Sequence, residues 1–211
     1  MTESIAEILI RIESVKFSFK NHFTLTSGLK SPVYVDCRKI ISYVNERNFI
    51  VSKAIDYIKD KNLKFNLVAG GETAGIPYAA FIANKINKPM VYIRKKPKGF
   101  GGNQQIEGSF NKNDLAILIE DLATDGGSKI LFIDAMRKAE LKVNDIFVIF
   151  YYDIFEYTKL DLAKLDVNIH SLCTWKDIIK VLEKNNIYNK EDVENLKEFL
   201  SNPDAWRKKN A

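Results

Sequence analysis

Two cysteines and two histidines are all that 211 residues offer to soft-metal or thiol chemistry. Cys37 and Cys173 lie far apart, and neither they nor His22 and His170 show metal-ligand spacing, so the chain holds no zinc set. No Ser-His-Asp or Cys-His arrangement can be assembled from so few candidates. Two buried, reduced thiols are a better reading than a disulfide, and this fits a cytoplasmic compartment. Long apolar runs are also missing: nothing approaches the roughly 18 residues that a membrane crossing needs. The start, Met1-Thr2-Glu3-Ser4, leads into an acid-containing amphipathic stretch and lacks the form of a secretory signal. Internal repeats, low-complexity segments and a linker are absent too.

What is present suits one domain of ordinary size, or a domain with a small appendage. At 46% hydrophobic and 28% charged, the chain can bury a sizeable core and stay soluble. The net charge of +5 fits nucleic acid or a polyanionic small substrate equally well, so the placement of the charges must decide.

Ile5, Ile8, Leu9, Ile12 and Val15 make a helical stripe, broken by the stretch from Phe23 to Pro32. Val33-Tyr34-Val35-Asp36 reads as a strand within a hairpin or small sheet. Beyond it, strands and helices alternate. Phe49 to Ile58 reads as helix, Phe65 to Ala69 as strand, Gly75 to Ile86 as helix, and Met90 to Ile93 and Leu115 to Ile119 as strands. A helix follows the second of these, then a strand over Asp145 to Phe150 and another over Val167 to Leu172. Trp175 to Leu182 and Asp192 to Leu200 read as helices, and Arg207-Lys208-Lys209 as a solvated tail. The alternation predicts an α/β fold: a central, mostly parallel twisted sheet with helices on both faces. Residues 1–40 stand outside it and read as a small hood, within a single domain spanning 1–211.

The most informative segment is Glu120-Asp121-Leu122-Ala123-Thr124-Asp125-Gly126-Gly127-Ser128. It follows a wholly apolar strand and precedes a helix, which is where an open parallel sheet binds its ligand. Backbone N–H groups, hydroxyls and the helix dipole suit a phosphate. The two acids would repel a phosphate but accept from sugar hydroxyls, so together they point to a hydroxylated ring with an anionic end. As a bare pattern, the segment also fits a surface turn capped by Asp or Ser.

Arg94-Lys95-Lys96-Pro97-Lys98 places four cations in five residues at the carboxyl end of a predicted strand. The run opens a loop reaching to Gly108, long enough that a function is expected of it. These cations suit closure over a diphosphate, although a charge run also reads as a solvated face. Gly70-Gly71-Glu72-Thr73-Ala74-Gly75 joins another strand to a helix. It is neither a Walker A loop nor a dinucleotide fingerprint. It serves either as a tight turn or as a second backbone nest for pyrophosphate.

These stations, in this order, resemble the type I phosphoribosyltransferases, and within them the orotate phosphoribosyltransferase family. The resemblance covers roughly Phe17 to Trp175. It rests on Glu120 to Ser128, on the loop Arg94 to Gly108 ending in Gln105-Ile106-Glu107-Gly108, on Phe23-Thr24-Leu25 with Ser27-Gly28 and Ser31-Pro32, and on Gly70 to Pro77. It implies transfer of the phosphoribosyl group of 5-phosphoribosyl 1-diphosphate to orotate, with magnesium, in a homodimer whose Arg94–Gly108 loop acts across the interface. Nucleic acid and membrane are not implied as partners.

The resemblance also implies residue roles. Lys98 acts on the leaving pyrophosphate in trans, with Arg94, Lys95 and Thr73. Glu120 and Asp121 hold the ribose hydroxyls. Thr124, Asp125, Gly126, Gly127 and Ser128 form the 5′-phosphate cradle, and Leu122 and Ala123 belong to the same phosphoribosyl-diphosphate-binding stretch. Thr124, Tyr34 and Val35 contact orotate. Magnesium is carried mainly by the substrate, with Glu120 or Asp121 as protein ligands. The chain departs from the family pattern at Thr26, Ala74, Phe100 and Ile154, where the family commonly has Lys, Lys, His and Arg. Lys30 or Arg38 would supply the lost cation for the orotate carboxylate. These departures keep a phosphoribosyltransferase for another nucleobase in view. A non-catalytic, nucleic-acid-binding sensor of the same sugar diphosphate is the remaining alternative. The N-terminal stripe is too short for a helix-turn-helix, and the clearest cationic cluster lies on the loop.

Overall fold

The computed structural model describes residues 3–25, 27–98, 105–124 and 127–210. In chain order, helix α1 (Ile5–Arg11) leads into strands β1 (Val15–Phe17), β2 (Phe23–Thr24), β3 (Lys30–Ser31) and β4 (Val33–Val35), then a 3-10 turn over Cys37–Ser42. Helix α2 (Val44–Asp60) is followed by β5 (Leu67–Gly71), α3 (Gly75–Ile86), β6 (Met90–Ile93), β7 (Ile106–Glu107), β8 (Leu115–Ala123) and α4 (Gly127–Lys138). Next come β9 (Lys142–Tyr151), α5 (Glu156–Lys164) and β10 (Asn168–Thr174), and finally α6 (Trp175–Asn185), α7 (Lys190–Ser201) and α8 (Pro203–Lys209). The chain divides into two compact units, Val44–Leu172 and Met1–Tyr43 with Cys173–Ala211.

The larger unit is built on a six-stranded sheet in the order β10-β9-β8-β5-β6-β7. Strands β6, β5, β8 and β9 are parallel neighbours. Their apolar runs are buried on both faces, as a helix-covered parallel sheet requires. The crossovers β5–α3–β6 and β8–α4–β9 step along the sheet in opposite directions. Because such crossovers are right-handed, α3 and α4 take opposite faces. The pleat agrees. A Cβ on Gly70 would meet Ala79 and Ile76 of α3, whereas one on Gly71 would meet Phe132 of α4. Ala116 and Leu118 of β8 share a core with Phe132, Ile133 and Met136 of α4.

In the smaller unit, β1 pairs antiparallel with β4 and β2 with β3. Trp175 and Trp206 are buried packing anchors. The Trp206 ring lies 4.7 Å from His22 and 5.2 Å from Phe199, and its indole N–H donates to Asn195 Oδ1 at 3.1 Å. Cys37 and Cys173 are buried free thiols.

Three expectations change. The N-terminal stripe ends as helix at Arg11: Glu13 turns with φ 54°, and Val15 opens β1 instead of extending α1. The stretch after Arg94 is not loop throughout, because Ile106–Glu107 pairs antiparallel with β6. Arg207-Lys208-Lys209 is not a tail but the last turn of α8. Asn202 caps that helix, Arg207 Nε donates to the Lys30 carbonyl at 3.0 Å, and Lys209 pairs with Glu198 at 2.9 Å.

Candidate active site

The chain leaves β5 towards β6 and then returns to the other side of β5 at β8, so strand order reverses between β5 and β8. In an open parallel sheet, the crevice outside the carboxyl ends of that pair is the ligand site. The two motif turns lie there. Glu72, Thr73 and Ala74 join β5 to α3, and Thr124 follows β8 ahead of α4. Each helix begins with a glycine, Gly75 or Gly127, and the first turn of a helix is where its dipole favours an anion. Asp125 and Gly126 lie outside the described residues, as do 99–104, including Phe100, and Thr26.

The acids differ from expectation in one respect. Strand β8 does not end at Ile119 but runs to Ala123, so Glu120 and Asp121 are strand residues facing opposite ways. Glu120 continues the row of Ala116 and Leu118 onto the α4 face and is only 5% exposed. Asp121 is half-buried on the other face. Leu122 is half-buried, and Ala123 is buried at the strand end, where its carbonyl accepts from Tyr152 N–H at 2.9 Å.

The partner of Glu120 is Lys129, in the first turn of α4 and also 5% exposed. Its ammonium donates to Glu120 Oε2 at 3.2 Å, to the Leu122 carbonyl at 2.5 Å and to Ser128 Oγ at 3.2 Å. The other carboxylate oxygen, Oε1, fills space that two glycines leave open. A Cβ on Gly71 would lie 1.8 Å from it, and one on Gly75 2.7 Å. Burial pushes the Glu120 carboxyl up to about 7, against the pull of the Lys129 ammonium and with Asp121 adding to the rise.

The cationic stretch is anchored at its base. Arg94 exchanges hydrogen bonds with Gln105, N–H to carbonyl at 2.8 Å and side-chain amide to carbonyl at 2.9 Å. The Lys95 N–H donates to Glu72 Oε2 at 2.7 Å, which holds the loop base against the Glu72–Ala74 turn. Lys98 Nζ lies 2.5 Å from Glu107 Oε1, and Arg94 Nη1 lies 3.7 Å from the same oxygen. Lys95 and Thr73 are exposed. The larger unit thus brings Thr73, Arg94, Lys95, Lys98, Glu120 to Thr124, Gly127 and Ser128 to one end of its sheet.

In the smaller unit, Tyr34 is exposed and its hydroxyl accepts from Arg38 at 3.3 Å. Val35 is buried opposite Val15. Lys30 donates to Thr24 Oγ1 at 2.9 Å, and Arg38 pairs with Asp36 at 2.6 Å.

No family model matches the chain. Its sequence is 42% identical over 212 residues to an orotate phosphoribosyltransferase of Roseobacter denitrificans, covering 100% of this chain and 94% of that protein. The chain belongs to the orotate phosphoribosyltransferase family. Among solved structures, the orotate phosphoribosyltransferase of Aeropyrum pernix superposes with a TM-score of 0.74 at 28% identity, over 88% of this chain and 99% of that one. The UMP synthase of Leishmania donovani gives 0.78 at 28% identity, over 93% of this chain and 41% of that one. The six-stranded sheet is therefore that of a type I phosphoribosyltransferase.

For this phosphoribosyltransferase, one residue of the site escapes the motif reading. Lys129 sits with Phe132, Ile133 and Met136 at helical spacing, so the apolar stripe of α4 contains a lysine. A cation on a core-facing stripe signals a buried acid opposite. His170 lies 2.8 Å from Asp145 and 3.3 Å from the Tyr57 hydroxyl, joining β10 to β9 and α2. Among the described residues, no three His, Cys, Asp or Glu side chains gather to hold a metal, and no helix is long and apolar enough to cross a membrane.

Proposed function

We propose that this phosphoribosyltransferase transfers the phosphoribosyl group of 5-phosphoribosyl 1-diphosphate to orotate, giving orotidine 5′-monophosphate and pyrophosphate in pyrimidine biosynthesis. The observation that carries this reading is the meeting, at the β5/β8 switch point, of two helix N-terminal turns with a cationic stem on β6. A substrate with a phosphate at one end and a diphosphate at the other matches two such turns.

In this reading, Thr124 to Ser128 bind the 5′-phosphate and Asp121 accepts from the ribose hydroxyls. Glu120 supports the site from beneath, through Lys129. Arg94, Lys95 and Lys98, with Thr73, take the diphosphate. As the bond from the anomeric carbon to pyrophosphate lengthens, positive charge grows on the sugar and negative charge on the leaving group. The loop cations stabilise the second charge, and such preorganised electrostatics is usually the largest catalytic contribution. Before substrate arrives, Glu107 holds Lys98 and Arg94, and the diphosphate replaces it. Orotate N1 then attacks the exposed carbon directly, its proton leaving with the pyrophosphate, and no covalent enzyme intermediate is needed. Closure of the loop excludes water, which would otherwise capture the sugar.

Magnesium, when bound, adds positive charge at the diphosphate oxygens. The residues present suit a substrate-carried ion: Glu120 is committed to Lys129, so Asp121 is the carboxylate that would hold it. The family resemblance assigns Thr124 of the larger unit to orotate, and in the smaller unit Tyr34 and Val35, with Lys30 or Arg38 as the cation for its carboxylate. If Lys30→Ala and Arg38→Ala both leave the orotate KM unchanged, that last assignment fails. The active form is a homodimer whose Arg94–Gly108 loop serves the neighbouring site. A cytoplasmic location is supported by the two free buried thiols. The direct test is the absorbance change when orotate, 5-phosphoribosyl 1-diphosphate and magnesium are mixed with the protein. No change with orotate, but turnover of another base, would reassign the acceptor.

A further inference from the structure

We infer that Lys129 is a positioning residue for the 5′-phosphate, its buried ammonium orienting the Ser128 hydroxyl and setting a positive charge behind the turn that starts α4. The inference rests on the reading of that turn as the phosphate cradle.

A lysine whose only task was to neutralise Glu120 would need one acceptor. Lys129 has three, one for each of its N–H bonds. They come from three different parts of the site: Glu120 Oε2 from the body of β8, the Leu122 carbonyl from its end, and Ser128 Oγ from the first turn of α4. The ammonium therefore ties the end of the strand to the start of the helix, and sets the span that the phosphate turn must bridge.

The contact with Ser128 has a directional consequence. The ammonium can only donate, so Ser128 Oγ accepts from it. A hydroxyl has one hydrogen, and a hydroxyl that accepts on one side keeps that hydrogen for a partner on another. Ser128 is half-buried at a helix N-terminus, among the N–H groups that suit an anion. The fixed acceptor side turns its O–H towards the same anion. Behind it lies a charge that is 5% exposed and so little screened by solvent or salt. Lys129 need not touch the ligand for this; it acts through Ser128 and through the field.

The test measures binding of 5-phosphoribosyl 1-diphosphate with magnesium by calorimetry, and steady-state kinetics, for the wild type, Lys129→Met, Ser128→Ala and the double variant. Lys129→Met is expected to weaken binding of the sugar diphosphate by about 10- to 100-fold, the worth of a hydrogen bond to a charged group. Its effect should fall on the KM for that substrate, leave kcat at saturation near the wild-type value, and shrink sharply in the Ser128→Ala background. Breaking the buried pair lowers the melting temperature under either role, but a purely structural lysine would act equally in both backgrounds. Full additivity with Ser128→Ala, or unchanged affinity in Lys129→Met, overturns the inference. Should Lys129→Met fail to fold, Glu120→Gln/Lys129→Met removes both buried charges and keeps their volume. The same loss of affinity is expected there, and wild-type affinity overturns the inference. A wild type that takes up no sugar diphosphate overturns the functional reading and this inference with it. A wild type that binds while the variant binds equally overturns the inference alone.

Discussion

Gly71→Ala adds a single methyl group where the structure has no room. The new Cβ would lie 1.8 Å from Glu120 Oε1, 2.7 Å from Glu120 Cδ and 2.7 Å from Phe132 Cε2. All three fall well inside the roughly 3.5–4.0 Å of an ordinary contact. The backbone cannot retreat, because Gly71 pairs with Ile93 of β6 and the preceding Gly70 with Ile119 of β8. Phe132 is 1% exposed and sits in the core, where interiors are close-packed. The carboxylate must therefore swing away from Lys129. Breaking a buried ion pair costs about 3–5 kcal/mol, a large share of the roughly 5–15 kcal/mol that holds a protein folded. At about 2–4 °C per kcal/mol for a chain of this size, the melting temperature should fall by roughly 6–20 °C. Thermal and urea denaturation read this directly. Glu120→Asp shortens the offending side chain by one methylene, so Gly71→Ala/Glu120→Asp should be more stable than the sum of the single losses predicts. If Gly71→Ala loses less than about 1 kcal/mol, an ordinary surface-sized effect, or if the pair is additive, the packing argument is wrong.

Lys98→Ala should lower kcat by about 10²–10³-fold while 5-phosphoribosyl 1-diphosphate still binds, and near-normal turnover would remove its assigned role. Dimers mixing Lys98→Ala subunits with Asp121→Asn subunits should regain activity if the loop works across the interface; none should appear if it works within one chain. Glu107→Gln frees Lys98 and Arg94 from a partly exposed pair, so the KM for the sugar diphosphate should fall by about 2- to 5-fold; a rise would show that Glu107 assists binding. Burial holds Glu120 up at about 7 against an ordinary 4.5, so the folded chain binds this proton more tightly than the unfolded one. The stability that results is complete below pH 4.5 and is lost as pH rises through 7, on the order of 3 kcal/mol in all. Glu120→Gln should lack that slope in chelator-treated protein, and a wild-type-minus-variant difference flat over this window would refute the assignment.

The sheet was legible because its strands are apolar on both faces and are punctuated. Helix α3 begins and ends where expected, after Gly70-Gly71 and at Asn87, whose φ of 52° closes it in the left-handed region. Strand β7 was not legible, since two residues carry no period and its pairing is set by β6. Helix α8 was hidden by its charges: Arg207, Lys208 and Lys209 read as solvated unless Trp206, 1% exposed beside them, is known to be anchored. At the site, the acids were visible but not their directions. An acid pair ending a strand and an acid pair inside one differ only in whether Leu122-Ala123 continues the pleat. That is decided by the pairing of Leu122 with Phe150 and Ala123 with Tyr151 on β9, far away in sequence.

The Glu120–Lys129 pair shows why the rest of the site had to wait for the fold. Alone, a carboxylate as deeply buried as Glu120 would cost several kcal/mol, and so would the ammonium. Each becomes tolerable only when α4 packs back onto β8, since the two lie nine positions apart, across strand end, turn and helix start. Gly71 and Gly75 supply the room, which connects the β5–α3 turn to the same pair. Folding of the core and shaping of both strand-to-helix turns are therefore one event. The charges are oriented before any substrate arrives, and that prior orientation is what lets a polar site stabilise a transition state without rearranging. It also explains why glycines that look like simple turn residues in the sequence cannot be exchanged for alanine: they are shaped to a carboxylate that only the folded sheet brings to them.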